Sequence, residues 1–289
     1  MSRYSKEDLT ALRPKRDSFV GIDSDGCVFD TMSVKQKTHF HPLIIKHWGL
    51  EAVEAAVRDV AEYVNLRSKH RGSNRFPALL MTFEALAEQP AVAASGARLP
   101  DVADLRAYCQ SGVPLGNETL AEAVGMTGSE ELEKVLNWSL EVNADIAANM
   151  ALAAPFPGAR EAIEMMGVKS DLMVVSQTPE ETLLREWDNN GMDGLVRMIA
   201  GQELGSKTEQ MGLAAGGKYK RERTLLIGDA PGDLRAARES GASFYPIVPG
   251  MEAESWSRLA EEVYGLFLAG RYKGVYENTY TKCFLNSLS

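Results

Sequence analysis

Three aspartates fall within the stretch GIDSDGCVFD at residues 21–30. Asp23 and Asp25 are two residues apart and follow the apolar run FVGI, and Asp30 closes the stretch. Carboxylates held close together repel one another and cost free energy unless a positive charge lies among them. This spacing therefore indicates a site for a cation, and it raises the question of which other ligands the chain supplies.

A second acidic pair lies far along the chain, in LLIGDAPGD, where Asp229 follows an apolar run and Asp233 comes four residues later. Ligands of open α/β sheets bind outside the carboxyl ends of the strands. If the runs before Asp23 and Asp229 are neighbouring parallel strands, the two pairs converge on one patch. Carboxylate-rich sites of that kind suit Mg²⁺, a hard cation that prefers oxygen ligands.

Short apolar runs closed by turn residues predict strands that are buried on both faces, as in a parallel sheet. Helical segments between the later runs predict βαβ crossovers, and hence a doubly wound, Rossmann-like parallel sheet. The predicted strands are 19–22, 172–175, 224–227 and 244–248, and the predicted helices are 179–190, 207–219, 232–240 and 252–268. The last twenty residues have no clear assignment and could pack on the core or on another subunit.

The region between the first two predicted strands has a different pattern. Apolar residues recur at helical spacing in 51–66 and 130–150, and no convincing strand interrupts them. We therefore predict an all-helical cap domain at 33–153, inserted into an α/β core domain formed by 1–32 and 154–289. APFPGAR at 154–160 marks the return to the core, because prolines and glycine interrupt regular structure.

Composition limits the possible partners. The 289 residues carry a net charge of -9 at a pI of about 5.1, which argues against nucleic acid and anionic membranes. Three widely spaced cysteines give neither a zinc motif nor a disulfide framework, which is typical of the reducing cytoplasm. The N-terminal residues do not resemble a signal peptide, and no apolar run is long enough for a membrane span.

Four motifs, in order, resemble those of the haloacid dehalogenase-like hydrolase superfamily. FVGIDSDGCV resembles its first motif, an apolar strand followed by Asp-x-Asp-x-Thr/Val, except that Cys27 holds the Thr/Val position. Ser176 in LMVVSQT and Lys207 in GSKTEQM match the second and third motifs, and Gly228 with Asp229 and Asp233 matches the fourth. The likeness covers about 1–32 and 154–289, and the helical insert lies where many members carry a cap.

The resemblance implies a reaction. Asp23 would be the nucleophile that forms an aspartyl phosphate, and Asp25 would be the general acid and base. Mg²⁺ would be held by Asp23, the backbone carbonyl of Asp25, Asp229 and Asp233, the last directly or through water.

The same resemblance implies roles for the second and third motifs. Ser176 would grip the phosphoryl oxygens, and Lys207 would stabilise the charge of the transition state. Gln177, next to Ser176, is a candidate substrate contact.

Two stretches of the predicted cap could also bind ligands. RSKHRGSNRFP at 67–77 offers Arg71, Asn74 and Arg75 to a carboxylate or sugar hydroxyl, although a solvated loop fits equally well. HFHPLIIKH at 39–47 is a weak metal candidate, because residues two apart on a helix point in different directions.

We expect a Mg²⁺-dependent phosphatase, a monomer or homodimer, that hydrolyses a small phosphorylated metabolite. A sugar phosphomutase is the nearest alternative, since it would carry the same acids and a cap. A dehalogenase or a phosphonate hydrolase fits less well, because neither reaction needs a second acid two residues after the nucleophile, where this chain has Asp25. A non-catalytic phospho-ligand-binding protein is an alternative of another class, but none of the expected catalytic residues is missing.

Overall fold

The computed structural model describes residues 3–288, and its centre is a five-stranded sheet in which every pair of neighbouring strands is parallel. The strands are β1 (Phe19–Ile22), β2 (Asp171–Val175), β3 (Met198–Ala200), β4 (Thr224–Gly228) and β5 (Ser243–Pro246). Their spatial order is β3-β2-β1-β4-β5. The chain therefore builds outward from β1 in one direction and then in the other, so the predicted doubly wound α/β fold is confirmed.

The α-helices follow one another along the chain as α1 (Lys6–Ala11), α2 (Thr31–Val34), α3 (His41–Trp48), α4 (Glu54–Glu62), α5 (Arg75–Ala87), α6 (Pro90–Ser95), α7 (Ala103–Gln110), α8 (Asn117–Thr127), α9 (Glu130–Asn149), α10 (Ala159–Gly167), α11 (Glu180–Asn189), α12 (Lys207–Ala215), α13 (Pro231–Ser240), α14 (Glu252–Arg258), α15 (Tyr264–Leu268) and α16 (Val275–Ser287). Three π-helical segments, Lys35–Phe40, Tyr63–Arg67 and Leu259–Val263, adjoin α-helices, and 3₁₀ turns cover Glu51–Val53, Asp193–Leu195, Gln202–Leu204 and Arg221–Arg223. Across residues 3–288, every helix is too short or too polar to span a lipid bilayer.

The chain forms two compact units. One consists of Met1–Met32 and Leu152–Ser289 and contains the sheet; the other is Ser33–Ala151. Residues 33–151 are all described, and they contain helices and turns without any strand. That this helical unit acts as a cap stays a prediction.

Side chains of the sheet point alternately to two hydrophobic layers, as the period of a strand requires. Val20, Val174 and Ile227 contribute to the layer on one face, whereas Phe19 and Met173 contribute to the layer on the other. Both layers are fully buried, which explains why the strands read as unbroken apolar runs.

Gly21 allows α12 to pack closely on the central strand. A Cβ at this position would lie 2.5 Å from the Sδ atom of Met211, a residue of α12. The absent side chain therefore brings the helix that begins at Lys207 close to β1.

The predicted strands agree with the structure to within two residues, but sequence analysis missed β3. This strand has only three residues and lies at the edge of the sheet. The apolar pattern before it is broken by Arg197, so the segment lacks the continuous run that marked the other strands.

The helical unit has its own aromatic core. The ring of Trp138 lies edge-on to Phe40 at 5.8 Å and to Trp48 at 6.0 Å, and Trp48 contacts Phe83 at 4.9 Å between centroids. Aromatic pairs at these separations and angles are favourable beyond the area they bury. The unit therefore has a hydrophobic core independent of the sheet.

The C-terminal segment folds as α16 and covers the edge of the sheet formed by β5. Phe284 is fully buried, and its ring lies 5.8 Å from that of Phe244 in β5. The Phe244 N–H donates to Glu277 Oε1 at 2.8 Å, and the Phe244 carbonyl accepts from the Tyr272 hydroxyl at 2.8 Å. These bonds satisfy backbone groups that an edge strand would otherwise leave unpaired.

Phe284→Ala tests whether α16 is part of the core. We expect it to lower the free energy of unfolding by about 3–5 kcal/mol, the usual cost of removing a buried phenyl ring. The control is Leu285→Ala, because Leu285 is 42% exposed and should change stability by less than about 1 kcal/mol. Equal effects in chemical denaturation would contradict the packing described for α16.

Candidate active site

The strand order brings the two predicted acidic pairs together. Asp23 directly follows β1, Asp229 directly follows β4, and these strands are neighbours in the sheet. The Asp23 N–H donates to the Ile227 carbonyl at 2.9 Å, which extends the ladder to the end of the strands. The pair β1/β4 is also where the strand order reverses, the usual position of a ligand crevice in such sheets.

Three carboxylates meet at this point. Asp23, Asp229 and Asp233 each offer an oxygen, and these oxygens all lie within 4.8 Å of one another. Asp23 is 4% exposed, and the other two are fully buried. Burying several carboxylates together is costly unless a cation compensates them, so the arrangement needs positive charge.

Lys207 supplies part of that charge. Its Nζ lies 2.8 Å from Asp23 Oδ1 and 2.5 Å from Asp233 Oδ1, and its side chain is 14% exposed. A capping box formed by Ser206 and Glu209 fixes the start of α12, which places Lys207 in the first helical position. The lysine is thus held between two acids that come from different elements.

Charge balance shows that a cation fits. The Lys207 ammonium carries one positive charge, whereas the three carboxylates carry three negative charges when all are ionised. The donors are oxygens, the atoms that Mg²⁺ prefers. The residues present therefore fit the divalent ion implied by the sequence motifs.

The protonation of Asp23 reflects this crowding. Burial raises the pKa of its carboxyl well above the ordinary value, and the nearby carboxylates of Asp233 and Asp229 add to the effect, while Lys207 opposes it. For Lys207, burial favours the neutral amine, but Asp23 and Asp233 together outweigh it and hold the pKa above that of an ordinary lysine. The lysine therefore stays charged.

Gly228 and α13 position Asp233. The Asp233 Oδ2 accepts from the Ala230 N–H at 3.0 Å, which caps the start of the helix beside Pro231. A Cβ at Gly228 would lie 2.4 Å from the Asp233 Cγ. Only glycine leaves room for this carboxylate.

Only one of the two Asp23 carboxylate oxygens accepts hydrogen bonds from residues 3–288. Oδ1 accepts from the Ser24 N–H at 2.8 Å as well as from Lys207, whereas Oδ2 has no hydrogen-bond partner within residues 3–288. One oxygen is therefore fixed in place, and the other has its lone pairs available to an electrophile.

Asp25 lies outside the group of three carboxylates. Its Oδ1 accepts from the Thr31 hydroxyl, and its Oδ2 accepts from the Thr178 hydroxyl at 2.6 Å. Gly26, with a positive φ of 76°, allows the tight turn that follows, and its N–H donates to the Phe29 carbonyl at 2.8 Å. Two hydroxyl donors, one from Thr31 and one from the loop after β2, thus hold the Asp25 carboxylate in place.

Cys27, which departs from the family motif, is an inert part of this loop. It is fully buried, and burial raises the pKa of its thiol well above the ordinary value, with the charge of Asp23 adding to the effect. Its carbonyl accepts from Trp256 Nε1 at 2.9 Å. The position therefore needs a small, neutral side chain, and cysteine meets that need.

Ser176 follows β2, as predicted, and is buried. Its Oγ accepts from the Thr178 N–H at 3.2 Å, and its carbonyl accepts from Gln210 Nε2 at 3.0 Å. The exposed Gln177 donates to the carbonyls of Ser176 and Gly205. The roles of Ser176 and Gln177 toward a ligand stay predictions.

Sequence analysis missed Gln210, Thr31 and Thr178. Gln210 Nε2 donates to the carbonyl of Ser176, in the loop after β2, and to those of Gly201 and Gly205, in the loop between β3 and α12, so it ties these two loops together. A signal existed, because Gln210 lies four residues before the apolar Ala214 on α12 and is therefore a polar residue in the buried stripe of that helix. The threonines carried no comparable signal, since hydroxyl side chains are common in loops.

The candidates in the helical unit have local partners. Arg71 is buried and its Nη1 donates to the Leu66 carbonyl, while Asn74 caps α5 by accepting from the Phe76 N–H at 3.0 Å. Arg75 begins α5 and donates to Asn143 Oδ1 at 2.7 Å, and burial lowers its pKa to about 10. Their role in substrate binding stays a prediction.

Two of the three histidines of 39–47 pair with carboxylates of α9, whereas His41 Nε2 is buried without a hydrogen-bond partner among residues 3–288. His39 Nδ1 lies 2.6 Å from Asp145 Oδ2, and His47 Nε2 lies 2.7 Å from Glu141 Oε2. Within the described part of the chain, the metal-compatible cluster of acids and histidines is the aspartate group alone.

No protein-family model and no curated protein sequence matches this chain. Among solved structures, it is similar to a haloacid dehalogenase-like family hydrolase from Xanthomonas campestris (12% identity, 91% of this chain and 97% of the other, TM-score 0.47). It is also similar to a haloacid dehalogenase-like hydrolase from Streptococcus pneumoniae (16% identity, 83% of this chain and 90% of the other, TM-score 0.43). A third similar structure is that of a predicted phosphoglycolate phosphatase from Haemophilus somnus (14% identity, 79% of this chain and 84% of the other, TM-score 0.41). Identities and TM-scores this low give no support for a shared activity.

Gly228→Ala should abolish the effect of Mg²⁺ on the melting temperature, although it replaces none of the proposed metal ligands. Its new Cβ displaces Asp233, so saturating Mg²⁺ should no longer raise the melting temperature as it does in the wild type. Gly232→Ala is the matched control, since a Cβ there meets nothing within 4 Å. A wild-type Mg²⁺ response in Gly228→Ala would show that Asp233 does not need its observed position.

The raised pKa of Asp23 predicts a pH dependence in EDTA. Between the ordinary value of 3.8 and the raised folded-state value, the folded chain holds a proton that the unfolded chain has released. Stability from this group is therefore lost as pH rises. As pH rises from about 4 through the raised pKa of Asp23, the wild type should lose unfolding free energy relative to Asp23→Asn. Parallel stability curves for the two proteins would contradict the raised pKa.

Proposed function

We propose that this chain is a haloacid dehalogenase-like hydrolase that removes phosphate from a small phosphomonoester with the help of Mg²⁺. The observation that supports it is the meeting of Asp23, Asp229 and Asp233 around Lys207 at the switch point of the sheet. A buried acidic group with one fixed ammonium is poorly suited to a non-catalytic surface. It suits a site where a cation and an anionic phosphate bind together.

In this proposal, Asp23 and Asp229 hold Mg²⁺ with the backbone carbonyl of Asp25, and Asp233 joins them directly or through water. The ion, when bound, offsets the repulsion between the carboxylates and the phosphate and polarises the phosphoryl group. The remaining chemistry belongs to the side chains.

Asp23 Oδ2 is the proposed nucleophile, because Oδ1 is held by Ser24 and Lys207. It attacks phosphorus, the bond between phosphorus and the leaving oxygen breaks, and an aspartyl phosphate forms. Lys207 stabilises the developing negative charge, since its position between Asp23 and Asp233 is already fixed.

Asp25 is the proposed general acid and base. In the first step it gives a proton to the leaving oxygen, which departs as an alcohol. In the second it takes a proton from the water that attacks phosphorus, so inorganic phosphate leaves and Asp23 is restored. Its hydrogen bonds from Thr31 and Thr178 support this role, because they fix the carboxylate outside the group of three acids.

Other parts of the prediction are proposals at the same level. The helical unit, with Arg71, Asn74 and Arg75, is the proposed source of substrate selectivity. The free thiols of the three cysteines suit the reducing cytoplasm, and the chain is proposed to act as a monomer or homodimer.

The experiment is a screen of phosphomonoesters for released phosphate, with Mg²⁺ and with EDTA. We expect Mg²⁺-dependent turnover, and a loss of at least about 10³-fold in kcat/KM for Asp23→Asn, because a missing nucleophile cannot be replaced by positioning alone. Asp30→Asn is the matched control, since Asp30 is not among the grouped acids. Wild-type turnover in Asp23→Asn would end the proposal, and isomerised sugar phosphate without free phosphate would indicate a mutase.

A further inference from the structure

The sheet unit contains a polar cavity at the end of the sheet where the strands begin. Its volume is about 340 Å³, within the range of small-metabolite sites. Its polar lining residues lie at or before the starts of strands: Lys15 and Arg16 precede β1, Ser170 and Asp171 lie at the start of β2, and Arg197 precedes β3. The proposed active site lies where strands end, so a strand length of roughly 16 Å separates the two ends.

One carboxylate lines this cavity, and it is already saturated. Asp171 is 3% exposed. Its Oδ2 accepts from the N–H groups of Lys15 and Arg16 at 2.8 and 3.0 Å and from the Tyr219 hydroxyl at 2.7 Å, and its Oδ1 accepts from Arg197 Nη1 at 3.0 Å. These bonds hold the segment before β1 against β2 and use the carboxylate fully.

The cavity therefore has an excess of positive charge. Asp171 offsets Arg197, while the side chains of Lys15 and Arg16 form no ion pair with any carboxylate of residues 3–288. Two positive charges thus remain on the wall of a concave site, in a chain whose net charge is -9. Such a local reversal of sign attracts small anions and favours those with two negative charges.

We propose that this cavity, lined by Lys15, Arg16 and Arg197, binds a small dianion: a phosphate group or a dicarboxylate. Lysine and arginine both bind such groups, arginine with two parallel hydrogen bonds. The site is independent of the aspartate group at the other end of the sheet and requires no metal ion.

Isothermal titration calorimetry of the full chain in EDTA, at low ionic strength, tests this proposal with inorganic phosphate and with succinate. Without a metal ion, the aspartate group repels both anions, so binding reports the basic cavity. We expect Lys15→Gln/Arg16→Gln to weaken the binding of whichever dianion binds by about tenfold or more. The variant keeps the backbone N–H groups that hold Asp171, so its melting temperature should stay close to that of the wild type.

Lys273→Gln/Lys282→Gln is the matched control, because it removes two exposed positive charges away from the cavity. Binding of phosphate alone or succinate alone, lost only in the cavity variant, supports the site and identifies its class of ligand. The proposal is wrong if neither dianion binds, if the cavity variant binds as the wild type does, or if both double variants weaken binding equally.

Discussion

The buried ion pairs of Lys207 with Asp23 and Asp233 hold the charged groups of the candidate active site in place. The Lys207 ammonium lies between a carboxylate at the end of β1 and one from α13, 2.8 and 2.5 Å away, and offsets part of their mutual repulsion. Removing one partner of such a buried pair usually costs several kcal/mol, because a charge is left uncompensated. Asp229 adds a third carboxylate, so the group carries more negative charge than the Lys207 ammonium offsets when all three acids are ionised.

Backbone features far apart in the sequence bring these charges together. The order β3-β2-β1-β4-β5 makes β1 and β4 neighbours, although about 200 residues separate them along the chain. Gly21 lets α12 approach the sheet, and Gly228 makes room for the carboxylate of Asp233. The two glycines therefore help to position the charged groups, because a side chain at either position would displace Met211 or Asp233.

The sequence predicted the part of the site that local pattern controls. Unbroken apolar runs followed by Asp23, Ser176 and Asp229 specified strands and their ends, because both faces of a parallel sheet are buried. Other features depend on contacts between distant segments. β3 is too short to show a period, α16 is stabilised by β5, and the threonine partners of Asp25 lie in loops whose conformation only the complete fold sets. Separation of Asp25 from the three other acids could not be read from its spacing for the same reason.

Anomalous diffraction from crystals soaked in Mn²⁺ would show whether the aspartate group binds a divalent cation, because Mn²⁺ shares the oxygen-ligand preference of Mg²⁺ and can be located by its own signal. We expect one strong peak in contact with carboxylate oxygens of Asp23 and Asp229, with the Lys207 ammonium still between Asp23 and Asp233. A strong peak elsewhere on the protein with none at this position, or an ion that takes the place of the Lys207 ammonium, would contradict this expectation.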